Sequence, residues 1–216
     1  MKKALCIALT LCMILALVPA AFAENDVEAV EMFGTKEGNV YTNKALGIRA
    51  EFPETWMVLS EEQSQQLMGS GMEALDNEKL AEMLEKNTAV IDLYAIAADN
   101  SGDNVNIQLQ SLNALQDVLL SEEKIAKINA DTLAEQMQGT GIEISATEQT
   151  TRSFAGSDHP CLHITLSVQG VPMYMDMVFL KVGTYFATVT STSLSQERSG
   201  AVLDTFKALE EESKAA

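Results

Sequence analysis

Four consecutive strand-like runs, joined by very short connections, limit the fold of this chain more than any other feature. They cover residues 142–150, 160–168, 172–181 and 185–193. The last three runs are separated by Val168-Gln169-Gly170-Val171 and Lys181-Val182-Gly183-Thr184, and each connection carries a glycine that suits a tight hairpin turn. Tight turns join antiparallel neighbours, so the sequence predicts an antiparallel sheet here.

Further strands are predicted in the first half of the chain. Residues 47–52 alternate apolar and charged side chains, which is the period of a half-buried strand. Residues 88–97 and 105–112 are also strand-like, and the loop 99–104 between them has the composition of a hairpin turn. Trp56 follows the strand-ending proline closely, and we expect it to anchor the core because aromatic side chains bury large areas.

Four helices are predicted from capping residues and apolar periodicity. The residues expected to begin them are Ser60, Asp76, Ser121 and Ser195. The last helix is expected to face the core through Val202, Phe206 and Leu209. Helices interspersed among hairpin-linked strands are typical of an α+β fold. We therefore predict an antiparallel sheet of about six to seven strands sandwiched between helices, in one domain over residues 39–216.

The N-terminus has the pattern of a secretory signal peptide. Lys2 and Lys3 precede a short apolar run, and the segment ends in Ala21-Phe22-Ala23, an Ala-x-Ala cleavage signal. The run is shorter than the ~20 apolar residues of a membrane-spanning helix, which disfavours a retained anchor. We expect residues 1–23 to be removed, residues 24–38 to form a flexible acidic lead-in, and the mature chain to be secreted.

Charge and cysteine content narrow the function classes. The net charge is −17, and it becomes −19 without residues 1–23 because that segment holds two lysines and no acidic residue. A surface this acidic repels nucleic acid and anionic lipid, whereas cations or basic partners remain compatible with it. Cys161 would be the sole cysteine of the mature chain, so no internal disulfide is expected.

Several motifs together resemble those of PsbP-like proteins, whose fold is shared with the Ran-binding Mog proteins. They are Tyr41, Gly47-Ile48, Phe52-Pro53, Trp56, the Gly183-Thr184-Tyr185-Phe186 hairpin, and the last helix with Val202 and Phe206. The resemblance runs from about residue 41 to residue 209 and is nearest to uncharacterised secreted bacterial members. It implies an antiparallel sheet between helical layers. No functional residue of the family maps onto a position of this chain.

Residues His159, Cys161 and His163 form the sequence feature richest in chemistry. They alternate along one strand and therefore share one face. A turn at Gln169-Gly170 would place Asp176 opposite His163. Imidazole and thiolate are favoured ligands of zinc and copper, so these four residues are the candidate metal ligands. The alternative is a structural His–Asp pair beside a cysteine that merely fills space.

The other face of the same hairpin is predicted to be core. Met173, Met175 and Met177 alternate with polar residues and point away from His163 and Asp176. We therefore expect the face with the histidine, cysteine and aspartate side chains to be the wetter or the functional one.

Catalytic signatures are not found in the sequence. No serine lies in a G-x-S-x-G motif, and Gly139-Thr140-Gly141 is too short for a phosphate-binding loop. We expect a secreted, non-enzymatic binding or interaction module for a protein or cell-surface component, with no cofactor and no nucleic-acid partner. It would not be an integral membrane protein after signal cleavage. The alternatives are a divalent-metal-binding protein that uses the four candidate ligands and, third, an uncharacterised hydrolase.

Overall fold

A computed structural model describes residues 32–67, 89–99 and 101–209, and its main element is a seven-stranded antiparallel sheet. From edge to edge, the strands are β4 (Trp56–Val58), β5 (Val90–Ala97), β6 (Asn104–Ser111), β10 (Tyr185–Ser193), β9 (Val171–Val182), β8 (Ser157–Val168) and β7 (Ile142–Phe154). Every neighbouring pair is antiparallel. The predicted α+β class and strand number are confirmed.

A second, four-stranded sheet was not expected from the sequence. Its order is β1 (Thr35–Glu37), β2 (Val40–Asn43), β3 (Ile48–Glu51) and β11 (Phe206–Ala208), again with antiparallel pairs. Strand β1 falls inside the segment predicted to be a flexible lead-in. The fold extends at least to Met32, whose carbonyl accepts a 2.8 Å hydrogen bond from the Asn43 amide.

The described residues contain four helices. They are α1 (residues 61–67), α2 (Ala114–Leu119), α3 (Glu122–Gln136) and α4 (Gln196–Leu203). Ser60 and Ser121 cap α1 and α3 as predicted, each accepting a backbone N–H three residues ahead. The helix expected after Asp76 lies outside the described residues. None of the four helices is long and apolar enough to cross a membrane.

The core lies on both faces of the large sheet. One face packs Met173, Met175 and Met177 against α3, which contributes Ile125 and Leu133. The opposite face packs against α4 and the small sheet. The second covering layer is therefore a helix plus a sheet, where the sequence had predicted helices alone.

The predicted final helix is too long, and this prediction is wrong. Helix α4 ends at Leu203, and Phe206 to Ala208 form β11 along β3. Val202 and Phe206 are both buried, but they belong to different elements. Pairing with β3 gives the backbone of this short segment hydrogen-bond partners, while the Phe206 ring packs on Phe52 and Phe154. Tertiary pairing thus overrides the helical spacing.

The connection between β8 and β9 is a two-residue turn. Gln169 and Gly170 have φ angles of 51° and 79°, the left-handed values that a type I′ turn requires at both positions. The resulting register pairs His163 with Asp176, as the sequence predicts.

Trp56 lies less deeply than expected. It stacks on Phe52 with a 5.5 Å centroid distance and packs against the core, but its side chain is only partly buried. Trp56 lies on β4, which is an edge strand of the large sheet.

A buried carboxylate ties the two sheets together. Asp92 lies at an irregularity in β5, and its side chain accepts hydrogen bonds from the Tyr41 hydroxyl at 2.6 Å and the Asn43 amide at 2.9 Å. The Gly34 N–H approaches both carboxylate oxygens at 3.0 and 3.1 Å. Burial, and then the charge of Asp92, raise the pKa of Tyr41 far above its ordinary value, so the hydroxyl stays a donor.

Replacing Asp92 with alanine should destabilise the protein by at least about 3 kcal/mol. The variant leaves the Tyr41 hydroxyl, the Asn43 amide and the Gly34 N–H without their acceptor, and a buried unpaired donor costs ~1–3 kcal/mol. Asp131→Ala is the control, since it removes an exposed ion pair with Lys127. The Asp131→Ala variant should lose less than ~0.5 kcal/mol of unfolding free energy. Urea unfolding of both variants measures the difference, and equal losses would show that Asp92 does not hold the sheets together.

Candidate functional sites

The hairpin of β8 and β9 brings His163 and Asp176 into direct contact. The Nδ1 atom of His163 contacts Oδ1 of Asp176 across the strands. The two residues that flank a two-residue turn form a hydrogen-bonded pair, and hydrogen-bonded and non-hydrogen-bonded pairs then alternate along the strands. By this alternation His163 and Asp176 form a non-hydrogen-bonded pair, the kind in which facing side chains are closest. The His163 side chain is 43% exposed and that of Asp176 only 3%. The carboxylate is therefore fixed inside the protein, while the imidazole borders solvent.

Cys161 completes a three-residue cluster with this pair. One donor atom from each of Cys161, His163 and Asp176 lies within 4.8 Å of the others. The cysteine is free and fully buried. Burial, and then the negative charge of Asp176, raise the pKa of the Cys161 thiol to about 12, although nearby Arg152 acts in the opposite direction. We call these three residues the hairpin cluster.

The face carrying the hairpin cluster is not the wetter one, and this part of the prediction is wrong. Cys161 belongs to the core cluster that also contains Val202 of α4 and Phe206 of β11. The small sheet and α4 cover this face, so the cysteine and the aspartate are enclosed. Of the three residues of the hairpin cluster, only His163 keeps substantial contact with solvent.

His159 is held apart from the hairpin cluster. Its Nδ1 lies 2.9 Å from Oε2 of Glu122, at the start of α3. The other oxygen of Glu122 accepts the Lys181 N–H at 2.7 Å, and the His159 ring meets Phe154 edge-on. Three of the four residues predicted as metal ligands therefore come together, while the fourth links β8 to α3.

An open pocket of about 290 Å³ adjoins the hairpin cluster. His163, Asp176, Glu148 and Arg152 are among the residues that line it. The Arg152 guanidinium donates to the Gly200 carbonyl and to Asp204, both at 2.6 Å. Gly200 lies close beside this arrangement: a Cβ there would lie 3.3 Å from Nη1 of Arg152, which would have to shift by a few tenths of an ångström. The pocket thus gives solvent a route to the cluster.

Helix α2 presents a second candidate site, which the sequence analysis missed. Leu115, Val118 and Leu119 are 69%, 81% and 52% exposed. Their spacing of three and four residues puts them on one side of the helix. Isolated exposed apolar residues are ordinary on protein surfaces, whereas neighbouring ones on one helix side form the kind of surface found at interaction sites. We call this patch the α2 apolar face.

The α2 helix is held firmly despite its short length. Asn113 and Gln116 form a capping box at its N-terminus. At its C-terminal end, the Lys181 ammonium donates to the Leu120 carbonyl at 3.1 Å and to the Asp117 carbonyl. It also pairs with the Asp117 carboxylate at 3.0 Å. The capping box of Asn113 and Gln116 is visible in the sequence, and it could have predicted this helix.

Comparisons with known proteins give likenesses of structure only. No protein-family model matches the chain, and no curated protein sequence matches it. Its structure is similar to the solution structure of cyanobacterial PsbP from Synechocystis, with 9% identity, a TM-score of 0.48, and coverage of 86% of this chain and 98% of that one. PsbP is the family that the motifs resemble.

The structure is also similar to LpqN of Mycobacterium tuberculosis, a protein involved in cell envelope biogenesis. The identity is 11% and the TM-score 0.44, with 86% of this chain and 98% of that one covered. At these identities and TM-scores, neither likeness bears on ligand, partner or activity.

Cys161 should react very slowly with a thiol-alkylating reagent in the native protein at pH 8. The thiolate is the reactive form, and a pKa of about 12 keeps the thiol protonated at that pH. In urea, the same cysteine should react at the rate of an ordinary free thiol. Mass spectrometry of the peptide that contains Cys161 measures both rates, and a native rate equal to the denatured rate would contradict the burial described above.

Proposed function

We propose that this protein is a secreted, non-enzymatic binding module that holds a partner protein through the α2 apolar face. The observation that carries the proposal is the exposure of Leu115, Val118 and Leu119 on one side of a capped helix. Anchoring such side chains in a partner removes apolar surface from water, which stabilises a complex by roughly 25 cal/mol per Å² before the costs of association.

The attachment of α2 to the sheet supports this role. Lys181 belongs to β9, so its contacts with Asp117 and Leu120 connect α2 to the large sheet. The Lys124 ammonium adds a 2.8 Å hydrogen bond to the Leu119 carbonyl. A surface that is already held in place loses little conformational freedom on binding, and this lowers the entropic cost of association.

The charge of the chain favours a basic partner. The whole chain carries −17, and two lysines beside the apolar face, Lys124 and Lys181, are engaged with α2 itself. Glu122 and Glu123 begin the next helix. The proposed partner is therefore a protein segment with apolar side chains flanked by lysine or arginine, whose encounter with an acidic surface is accelerated by charge.

The proposed location outside the cytoplasm follows from the N-terminal pattern. Lys2 and Lys3, the apolar run and Ala21-Phe22-Ala23 together form the secretory signal described above. A partner would then be another secreted protein or a component of the cell surface.

Replacing Leu115, Val118 and Leu119 together with glutamine should weaken partner binding at least tenfold. Glutamine keeps good helix propensity, so the change removes apolar surface without breaking the helix. The matched control is Met57→Gln with Leu194→Gln, which alters two exposed apolar residues elsewhere on the surface. Wild type, triple variant and control are each immobilised and exposed to the extracytoplasmic proteins of the producing cell.

A protein retained by wild type and control but lost with the triple variant is then purified, and its Kd for each chain is measured by calorimetry at low and high salt. The proposal expects a tenfold or larger rise in Kd for the triple variant and weaker binding at high salt. Unchanged affinity of the triple variant would refute the proposal. So would sedimentation data showing that the α2 apolar face binds only a second copy of this chain.

A further inference from the structure

We propose that the hairpin cluster is a zinc site, with Sγ of Cys161, Nδ1 of His163 and a carboxylate oxygen of Asp176 as its three protein ligands. This inference is independent of the α2 apolar face and of any protein partner. It rests on the juxtaposition of the three side chains, each of which offers one donor atom within 4.8 Å of the others, and on the contact of Nδ1 of His163 with Asp176. Thiolate, imidazole and carboxylate are the ligand types that zinc takes in proteins.

The geometry requires only small adjustments. Zinc lies about 2.3 Å from sulfur and about 2.0–2.1 Å from nitrogen or oxygen in protein sites, so ligand atoms around one ion are roughly 3.5 Å apart. Since the donors lie within 4.8 Å of one another, no pair has to close by more than about 1.3 Å to reach that separation. The ion would replace the hydrogen between Nδ1 of His163 and Oδ1 of Asp176.

The protons of the site balance simply. Cys161 gives its thiol proton to solvent and forms a sulfur–zinc bond. The hydrogen between Nδ1 of His163 and Oδ1 of Asp176 also leaves to solvent as a proton. His163 then binds zinc through Nδ1 as the neutral imidazole, with its single proton on Nε2, where it exchanges with solvent. Asp176 binds as the carboxylate. Thiolate and carboxylate together offset the two charges of the ion. The guanidinium of Arg152, whose charge acts on Cys161, is engaged with Gly200 and Asp204.

The adjoining pocket completes the argument. His163 and Asp176 both line it, which gives the ion an entry path to ligands that are otherwise enclosed. Glu148 faces His163 across β7 and β8 and lines the same pocket. Three protein ligands leave a fourth position open to water, whereas structural zinc sites are closed by four protein ligands. We therefore assign an accessible site.

The test uses the mature chain from residue 24, in which Cys161 is the sole cysteine, purified without a histidine tag and stripped of metal with a chelator. Zinc is titrated in, and its stoichiometry and Kd are measured by calorimetry and elemental analysis. Cobalt serves as a spectroscopic probe, because a cobalt–thiolate bond gives a charge-transfer absorption that a purely oxygen and nitrogen site lacks. The proposal expects one zinc per chain and a thiolate band with cobalt in the wild-type protein.

Three variants and one control locate the ion. Cys161→Ser, His163→Gln and Asp176→Asn should each weaken zinc binding at least tenfold, and Cys161→Ser should also abolish the thiolate band. His159→Gln is the matched control: it removes the other histidine of the same strand, which contacts Glu122, and should leave Kd unchanged. Circular dichroism identifies any variant that has not folded.

Several results would overturn the site. One is a wild-type protein that shows no thiolate band with cobalt and binds less than one zinc per chain. Another is unchanged zinc affinity in folded Cys161→Ser. The third is a loss of zinc affinity in His159→Gln as large as the loss in the ligand variants. The wild-type cobalt spectrum remains decisive even if every ligand variant fails to fold, since it needs no substitution.

Discussion

The register of the β8–β9 hairpin is the constraint on which the rest of this structure depends. Gln169 and Gly170 adopt left-handed backbone angles, which fixes a two-residue turn and with it every pair along two long strands. Since side chains alternate between faces, a slip by one residue would carry the three buried methionines out of the core and Asp176 into the methionine layer. One turn therefore sets both the core beneath α3 and the chemistry of the opposite face.

The burial of residues on the opposite face of the hairpin is set by the elements that cover that face. Helix α4 and the small sheet enclose Cys161 and Asp176, while the pocket beside Arg152 keeps His163 in contact with solvent. The small sheet is in turn fastened to the large one by the hydrogen bonds that Asp92 accepts from Gly34, Tyr41 and Asn43. The Asp92 contacts thus help hold the layer that makes the hairpin cluster a buried site.

Local pattern predicted most of the large sheet, because alternation and turn residues act between neighbours in sequence. It predicted β7, β8, β9 and β10, and it predicted that His163 pairs with Asp176 across the hairpin. The local pattern did not predict features that are set by contacts between residues distant in sequence. Phe206 continues a helical spacing but pairs with β3, and His159 shares a strand with Cys161 but meets Glu122 of α3. Asp92 is visible in the sequence as a charged residue inside an apolar strand. Its hydrogen-bond partners lie 49–58 residues away, so no local pattern could predict them.

The most direct test of the register is an engineered disulfide across the hairpin. Thr165 and Tyr174 face each other at a position where side chains approach closely, so cysteines there should form a disulfide under mild oxidation. The test is made in a Cys161→Ala background and read by peptide mapping of the oxidised protein. We predict a disulfide in Thr165→Cys with Tyr174→Cys and none in Thr165→Cys with Met175→Cys, the pair that a one-residue slip would create. A disulfide in the second pair, or none in the first, would contradict the account.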